Sequence, residues 1–337
     1  MPPADAPGPV VRVRWRWRVE HALVHGLIRF LQALPVPVAF AFARGLGALA
    51  HLVLRSRVRL ARRQMAEALG GHPDDARIRA DVRECFRHFM RVPIEMMTLE
   101  AALARKRPDE VLRMHGKEHY DRVLARGRGV IFLTGHLGNW EVMGTFGPRL
   151  GLPVTGVGRP LENPLIDAEL LALRSRFGQR MVAKDGAGVK LMRELKQGYV
   201  IALMIDQHAG SEGLRIPFFH APASTFTFIA SLARRLGLPL LPIFSRCGAR
   251  PHEVDAVIEP PIEPDPNLPE DEDAFRMTLA FHRRLEAAIR AAPGQYLWFH
   301  KRWKASGREP DPKWLERYAA RDEGAAESTA RSASGEG

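Results

Sequence analysis

From residue 129 to about residue 292, apolar runs of strand length alternate with amphipathic stretches of helix length. "GVIFLTG", "PVTGVG", "YVIALMID", "PLLPIFSR" and "HEVDAVIEP" read as strands, with "MVA" as a short additional one. "NWEVMGTFGPRLG", "NPLIDAELLALRSRFG", "GVKLMRELKQG", "STFTFIASLARRLG" and "EDAFRMTLAFHRRLEAAIRAAPG" read as helices. Such an order builds an α/β sheet covered by helices on both faces. Residues 70 to about 125 read as helical, with Val82, Cys85, Phe86 and Phe89 on one face. The tail after about residue 318 is small and polar and reads as disordered. The chain of 337 residues is long enough for one large domain or two small ones.

The N-terminal part has a different character. A Pro/Ala opening reads as disordered. It is followed by "RVRWRWR", in which Arg12, Arg14, Arg16 and Arg18 alternate with Val13, Trp15 and Trp17. Tryptophan and arginine beside an apolar segment mark a bilayer interface, where indoles sit at headgroup depth and cations meet anionic lipid. Residues 22 to 54 are largely apolar but interrupted by His25, Arg29, Arg44 and His51. The uncharged run from residue 30 to 43 is shorter than the roughly 20 residues of a clean span, and Pro35 and Pro37 break any single helix there. The segment reads as a helical membrane anchor, either a poor single span or a monotopic hairpin. The basic run "RSRVRLARRQ" closes it, so positive charge lies on both sides and favours lying on the membrane. The formal net charge of +12 calls for an acidic partner. No nucleic-acid motif is visible, so nucleic acid is not the expected one. The two cysteines, Cys85 and Cys247, read as small buried hydrophobes without a disulfide or zinc role.

The usual chemical motifs are missing: no GxSxG, no GxxxxGK[ST], no GxGxxG after a strand and no HExxH. One stretch does carry chemistry. In "TGHLGNWEVMG", His136 follows a buried strand at the carboxyl edge of the sheet, where α/β proteins hold ligands. Gly135 and Gly138 keep the turn free of bulk, and Asn139 is a good N-cap for a helix starting near Trp140. Glu141 then falls in the first helical turn, where the helix dipole favours the anion. On one continuous helix, residues five apart point about 140° apart, so His136 and Glu141 meet only if the chain turns back at Gly138. A carboxylate on one imidazole nitrogen leaves the other as a base. With no serine beside it, the nucleophile would be a hydroxyl on the substrate. The same spacing also fits a buried histidine next to a helix-capping glutamate.

"GHLGNWE" resembles the HxxxxE form of the HxxxxD/E motif of glycerolipid-type acyltransferases, and more closely the lipid A late acyltransferases that move lauroyl and myristoyl chains. "GRPLENPLIDAELLALRSRFG", "GYVIALMIDQHAG", "IPFFHAPASTFTFIASLARRLGLPLLPIF" and "QYLWFHKRWK" resemble further blocks of that family, in order, from about residue 20 to 305. Leu137, His220, Phe226 and Gln64 depart from the family's commoner Phe, Gly, Pro and Asn. The resemblance implies a glycerolipid-acyltransferase-like mixed sheet covered by helices, with an N-terminal helical membrane anchor. The chain then divides into residues 1–18 as a disordered, basic interfacial segment, 19–64 as the membrane anchor, 65–310 as the acyltransferase domain and 311–337 as the C-terminal tail. The implied reaction moves a fatty acyl chain from acyl carrier protein to a hydroxyl of a lipid A precursor, at the cytoplasmic side of a bacterial inner membrane. His136 is then the general base and Glu141 its orienting carboxylate. Arg159, Asp206, Asn139 and Gly138 are the implied substrate-binding positions, with Asp206 suited either to positioning His136 or to holding a sugar hydroxyl. Backbone N–H groups of the glycine turn are candidate oxyanion donors. Arg174, Arg176 and Arg180 are candidates for docking the acidic carrier protein, or a solvated helix face. No cofactor or metal is expected.

The alternatives are the same fold acting on another glycolipid or aminolipid or using acyl-CoA, a non-enzymatic membrane protein, and a metal-dependent hydrolase using His136, Glu141 and Asp206. No further histidine cluster near them supports the hydrolase. His21 and His25, four apart, fall in the anchor and read as interfacial.

Overall fold

The apolar runs pair as their alternation requires. The computed structural model describes residues 14–127, 129–151, 153–183 and 187–319; the expected disordered opening and tail, and Arg12 and Val13, lie outside them. Three helices lead the chain: α1 (Trp15–Ala33), α2 (Val36–Val53) and α3 (Arg55–Leu69). The long α4 (Ala76–Met97) and the short α5 (Leu99–Leu103) and α6 (Pro108–Val111) follow. The α/β part then runs β1 (Leu112–His115), α7 (Lys117–Leu124), β2 (Val130–Thr134), α8 (Trp140–Phe146), β3 (Val154–Gly158), α9 (Pro164–Ser175), β4 (Arg180–Ala183), α10 (Ala187–Lys196) and β5 (Val200–Met204). It ends with β6 (Leu214–Phe218), β7 (Ala221–Thr225), α11 (Phe228–Leu236), β8 (Leu240–Cys247), β9 (Val254–Ile258) and α12 (Glu270–Ala291).

Seven strands form one sheet in the order β1-β9-β8-β2-β5-β3-β4. Pairing is parallel everywhere except between β8 and β9. The fully buried β2 shows why both faces are covered. Ile131 and Leu133 point into one apolar layer with Leu191, Phe281 and Leu285. Val130 and Phe132 point into the other with Tyr120 and Val142, as the two-residue period of a strand demands.

Two elements depart from the expectation. β1 lies inside a stretch read as wholly helical; its four residues are too few for a periodicity to show. The β6–β7 hairpin occupies the stretch that runs into the expected helix "STFTFIASLARRLG", and it carries two prolines, Pro217 and Pro222. They sit opposite each other in a separate two-stranded ribbon, where prolines cost few ladder hydrogen bonds.

The helix break expected at the prolines is present. α1 stops at Ala33, and α2 starts at Val36 with Pro37 in its first turn, where a missing N–H costs nothing. α2 buries Ala39, Ala43 and Gly47. Gly47 lies so close to α4 that a Cβ there would be 2.4 Å from the Arg87 Cα. The opposite side of α2 leaves Val38, Phe42, Leu49, Leu52 and Val53 exposed, and α1 leaves Trp15, Val19, Leu23, Leu27 and Phe30 exposed. By length and composition α2 is the one helix among the described residues apolar enough to cross a membrane.

Candidate active site

The site follows from strand register. β2 and β5 are parallel neighbours with Thr134 opposite Met204. Two residues beyond each strand end, His136 and Asp206 therefore emerge side by side at the carboxyl edge. The Asp206 carboxylate binds His136 twice. Oδ1 accepts from the ring Nδ1 at 2.8 Å, and Oδ2 accepts from the His136 backbone N–H at 2.7 Å. That second bond orients the carboxylate, and a ring N–H on Nδ1 leaves the Nε2 lone pair for a proton. Asp206 is almost completely buried, whereas His136 keeps 14% of its side chain exposed. Gly135 allows the approach: a side chain there would strike Leu285 and Asp206.

The carboxylate on the imidazole is thus Asp206, where the spacing had pointed to Glu141. The reason is tertiary. A strand neighbour separated by 70 positions in sequence delivers its carboxylate in plane with Nδ1. Glu141, in the first turn of α8, is gripped by Arg174 of α9 through both guanidinium edges, Nε to Oε2 at 3.0 Å and Nη2 to Oε1 at 2.6 Å. Its charge still acts on the ring. Burial pulls the His136 pKa down, but the charge and hydrogen bond of Asp206, joined by the charge of Glu141, outweigh it and hold His136 above its ordinary value. Burial pushes the Asp206 carboxyl up, yet His136 and the cation of Arg302 carry it below the usual carboxylate range.

The other histidines nearby, His88 and His282 buried and His300 partly so, are not comparable. Burial pushes His88 and His300 down to about 4 and His282 to about 3. His88 donates Nε2–H to the Gly138 carbonyl, and His300 Nε2 accepts from the His208 backbone N–H.

The remaining positions fall into place differently. Asn139 is the N-cap of α8: its Oδ1 accepts from Val142 N–H at 3.0 Å, and its Nδ2 donates to Glu95 at 2.8 Å. Glu95 also takes Arg91 Nε and the His252 backbone N–H. Asn139 is completely buried, so its side chain is part of the framework under the turn, a correction to the substrate-binding role. Gly138 has φ +63°, and a Cβ would lie 2.0 Å from the Ser245 carbonyl oxygen. Only glycine fits such a position. Its N–H donates to the Gln295 carbonyl. The N–H of Leu137 goes to Gly135 and that of His136 to Asp206. The amides of residues 136 to 138 are all spent inside the fold, which corrects the expectation that they receive an oxyanion. The exposed Gln207, next in chain to Asp206, places its amide nitrogen 3.3 Å from His136 Nε2. Arg159 lies just past β3, exposed. Arg174 is committed to Glu141, Arg176 reaches Glu100, and Arg180 reaches Glu194 and lies over the Tyr199 ring.

The closing segment braces the turn from outside. Leu297 N–H bonds the His136 carbonyl at 3.2 Å, and Leu137 bridges to Tyr296. Arg302, almost fully buried, is fixed on the Ser224 and Gln207 carbonyls and on Thr225 Oγ1. Gln64 of α3 clamps this segment with bonds to the Trp298 and His300 carbonyls and from Arg302 N–H. Gln207 and Arg302 lay in recognised blocks, but no sequence spacing shows that they surround His136. Both cysteines are free and buried, as expected.

The site is thus a histidine held by a buried carboxylate at the carboxyl edge of the sheet. The chain belongs to the bacterial lipid A biosynthesis acyltransferase family, whose model matches residues 11–305, and it is an acyltransferase. It is 29% identical to the lipid A biosynthesis lauroyltransferase of Escherichia coli K12 over 83% of this chain and 89% of that protein. It is 26% identical to the lipid A biosynthesis palmitoleoyltransferase of the same organism, with the same coverage. A lipid A biosynthesis acyltransferase of Haemophilus influenzae is 25% identical over 54% of this chain and 56% of that protein.

Proposed function

We propose that the protein transfers a fatty acyl chain from acyl carrier protein to a hydroxyl of a lipid A precursor at the cytoplasmic face of a bacterial inner membrane. The observation that carries the mechanism is the doubly bonded Asp206–His136 pair. His136 Nε2 takes the proton of the acceptor hydroxyl as its oxygen attacks the thioester carbonyl. Asp206 keeps the ring oriented and balances the imidazolium that forms. Glu141 adds its negative charge and holds Arg174 at the rim. With the turn amides spent, the Gln207 amide, free to swing from Nε2, donates to the tetrahedral oxyanion. On collapse, the protonated His136 returns its proton to the leaving thiolate. Arg159, exposed at the same edge, suits the phosphate of a lipid A precursor.

The relatives' names support the acceptor class, and the +12 charge suits an acidic donor. The exposed apolar faces of α1 and α2, beside Trp15 and Trp17, support a shallow membrane seat. The docking of α2 along α4 favours the hairpin reading over a span, and it is the one we adopt. The test is purified His136→Ala in detergent with acylated carrier protein and a lipid A precursor. We expect transfer to fall by at least the roughly 10²- to 10⁴-fold of a lost general base, with thermal stability retained. Near-normal turnover would overturn the mechanism. Efficient turnover of acyl-CoA in place of the carrier protein would overturn the donor.

A further inference from the structure

Away from the sheet edge, α1 and α9 bring three metal-ligating side chains together. His21 and His25 are four apart on α1 and so share one helix face. Glu169 of α9 meets both: His25 Nδ1 lies 2.7 Å from Oε1, and His21 Nε2 lies 3.2 Å from Oε2. The three ligand atoms all fall within 4.8 Å of one another. A tetrahedral zinc with bonds of about 2.0–2.1 Å holds its ligands roughly 3.4 Å apart, a separation between the 2.7 Å of the His25–Glu169 pair and the 4.8 Å limit of the set. The Glu169 Oε2 atom is buried and makes no hydrogen bond. The His21 ring nitrogen approaches it without making a hydrogen bond; a buried carboxylate oxygen without one is costly, and a cation removes that cost.

We propose that His21, His25 and Glu169 form a binding site for a divalent transition metal, zinc by preference, that pins α1 onto α9. Two imidazoles and one carboxylate are a ligand set suited to zinc. His25, whose side chain is 53% exposed, opens a fourth position to solvent. The site sits where it matters for the molecule. α1 offers its outer side as exposed apolar residues and is held to the domain by Val24 and Ile28 against Leu170 and Leu173, and by Asn163, which donates to the Trp17 carbonyl and to Glu20. α9 also carries Arg174, the partner of Glu141. A metal at this seam ties the lipid-facing helix to the helix that shapes the rim of the active site. It takes no part in the chemistry at His136, and the proposal does not rest on the identity of the acceptor.

The test uses the full chain in detergent, without a histidine tag. Zinc is titrated against a competing chelator dye, and backbone hydrogen exchange of α1 is followed with and without zinc. We expect one equivalent bound, visible d–d bands of a low-coordinate site when cobalt replaces zinc, and slower exchange in α1. Affinity should fall by at least about 100-fold, the upper end of what a lost outer-shell partner costs, in His25→Ala and in Glu169→Gln. His25 is on the surface, so its loss leaves the fold intact. Stoichiometric binding that survives both substitutions, no saturable binding at all, or zinc binding without protection of α1 would each overturn the proposal.

Discussion

At the scale of single residues, the proposed chemistry turns on one contact, that of Asp206 with His136. A base must be neutral to act, and the charges of Asp206 and Glu141 hold the His136 pKa above its ordinary value. Activity should therefore rise with pH along an acid limb centred above about 6.5. Asp206→Asn removes the largest raising influence and keeps the burial, which lowers the pKa. The limb should move to lower pH while the plateau rate drops by roughly 10²-fold or more. A pH–rate profile of wild type and variant checks both signs; an unmoved limb would mean that Asp206 does not act through the ring. Stability should follow the same pair. The raised His136 contributes fully below its unfolded pKa and loses that contribution as pH rises through its folded value. The depressed Asp206 contributes above its unfolded pKa and loses that contribution as pH falls through its folded value. The pair is therefore at full strength between about pH 4 and 6.5.

At the scale of elements, two contrasting glycines of α2 make a test. Gly47 meets the α4 backbone, with a built Cβ 2.4 Å from the Arg87 Cα and 2.7 Å from the Phe86 carbonyl oxygen. Gly47→Ala forces the helices apart and should cost about 1–3 kcal/mol, the usual cost of overpacking. Gly45, two residues away, has nothing within 4 Å of its built Cβ. Gly45→Ala should be neutral or gain up to about 1 kcal/mol of helix propensity. Thermal melts of the two variants should move in opposite directions. Equal shifts would mean that α2 is not seated on α4 through its small-residue face. The same packing explains why Arg44, which looked like an interruption in an apolar segment, is tolerated: it reaches Glu84 of α4 at 3.3 Å.

At the scale of the whole molecule, the proposed membrane seat gives α1 and α2 a double task. Their inner faces close the core over Ile94 and Met96 of α4, and their outer faces remain apolar and exposed. Deleting them would strip cover from the domain as well as remove the membrane seat, so truncation cannot separate the two. Leu49→Glu with Leu52→Glu changes only side chains that are 55% and 65% exposed. The double variant should keep its melting temperature and its activity on detergent-solubilised acceptor. It should lose binding to anionic vesicles and activity on acceptor embedded in them. Vesicle flotation beside the two assays checks this; unchanged flotation would remove the membrane role of this face.

Much of this was legible in the chain itself. Apolar periodicity is a local property, and it marked β2, β3, β5, β8, β9 and the longer helices. The glycine turn marked His136, because a histidine between a buried strand and an N-capped helix can stand only at the sheet edge. Pro35 and Pro37 divided the leading helices, since a proline ring forbids continuation whatever surrounds it. The partner of the histidine was a different kind of fact. Glu141 is near His136 in sequence and inherits a geometry from the helix, but Asp206 is near in space, because β5 pairs beside β2 in a register that no local pattern encodes. Strand order, set by which apolar faces bury each other, decided which carboxylate meets the imidazole. The same packing spent the turn amides, placed Gln207 against Nε2, and brought Glu169 to two histidines some 144 positions away.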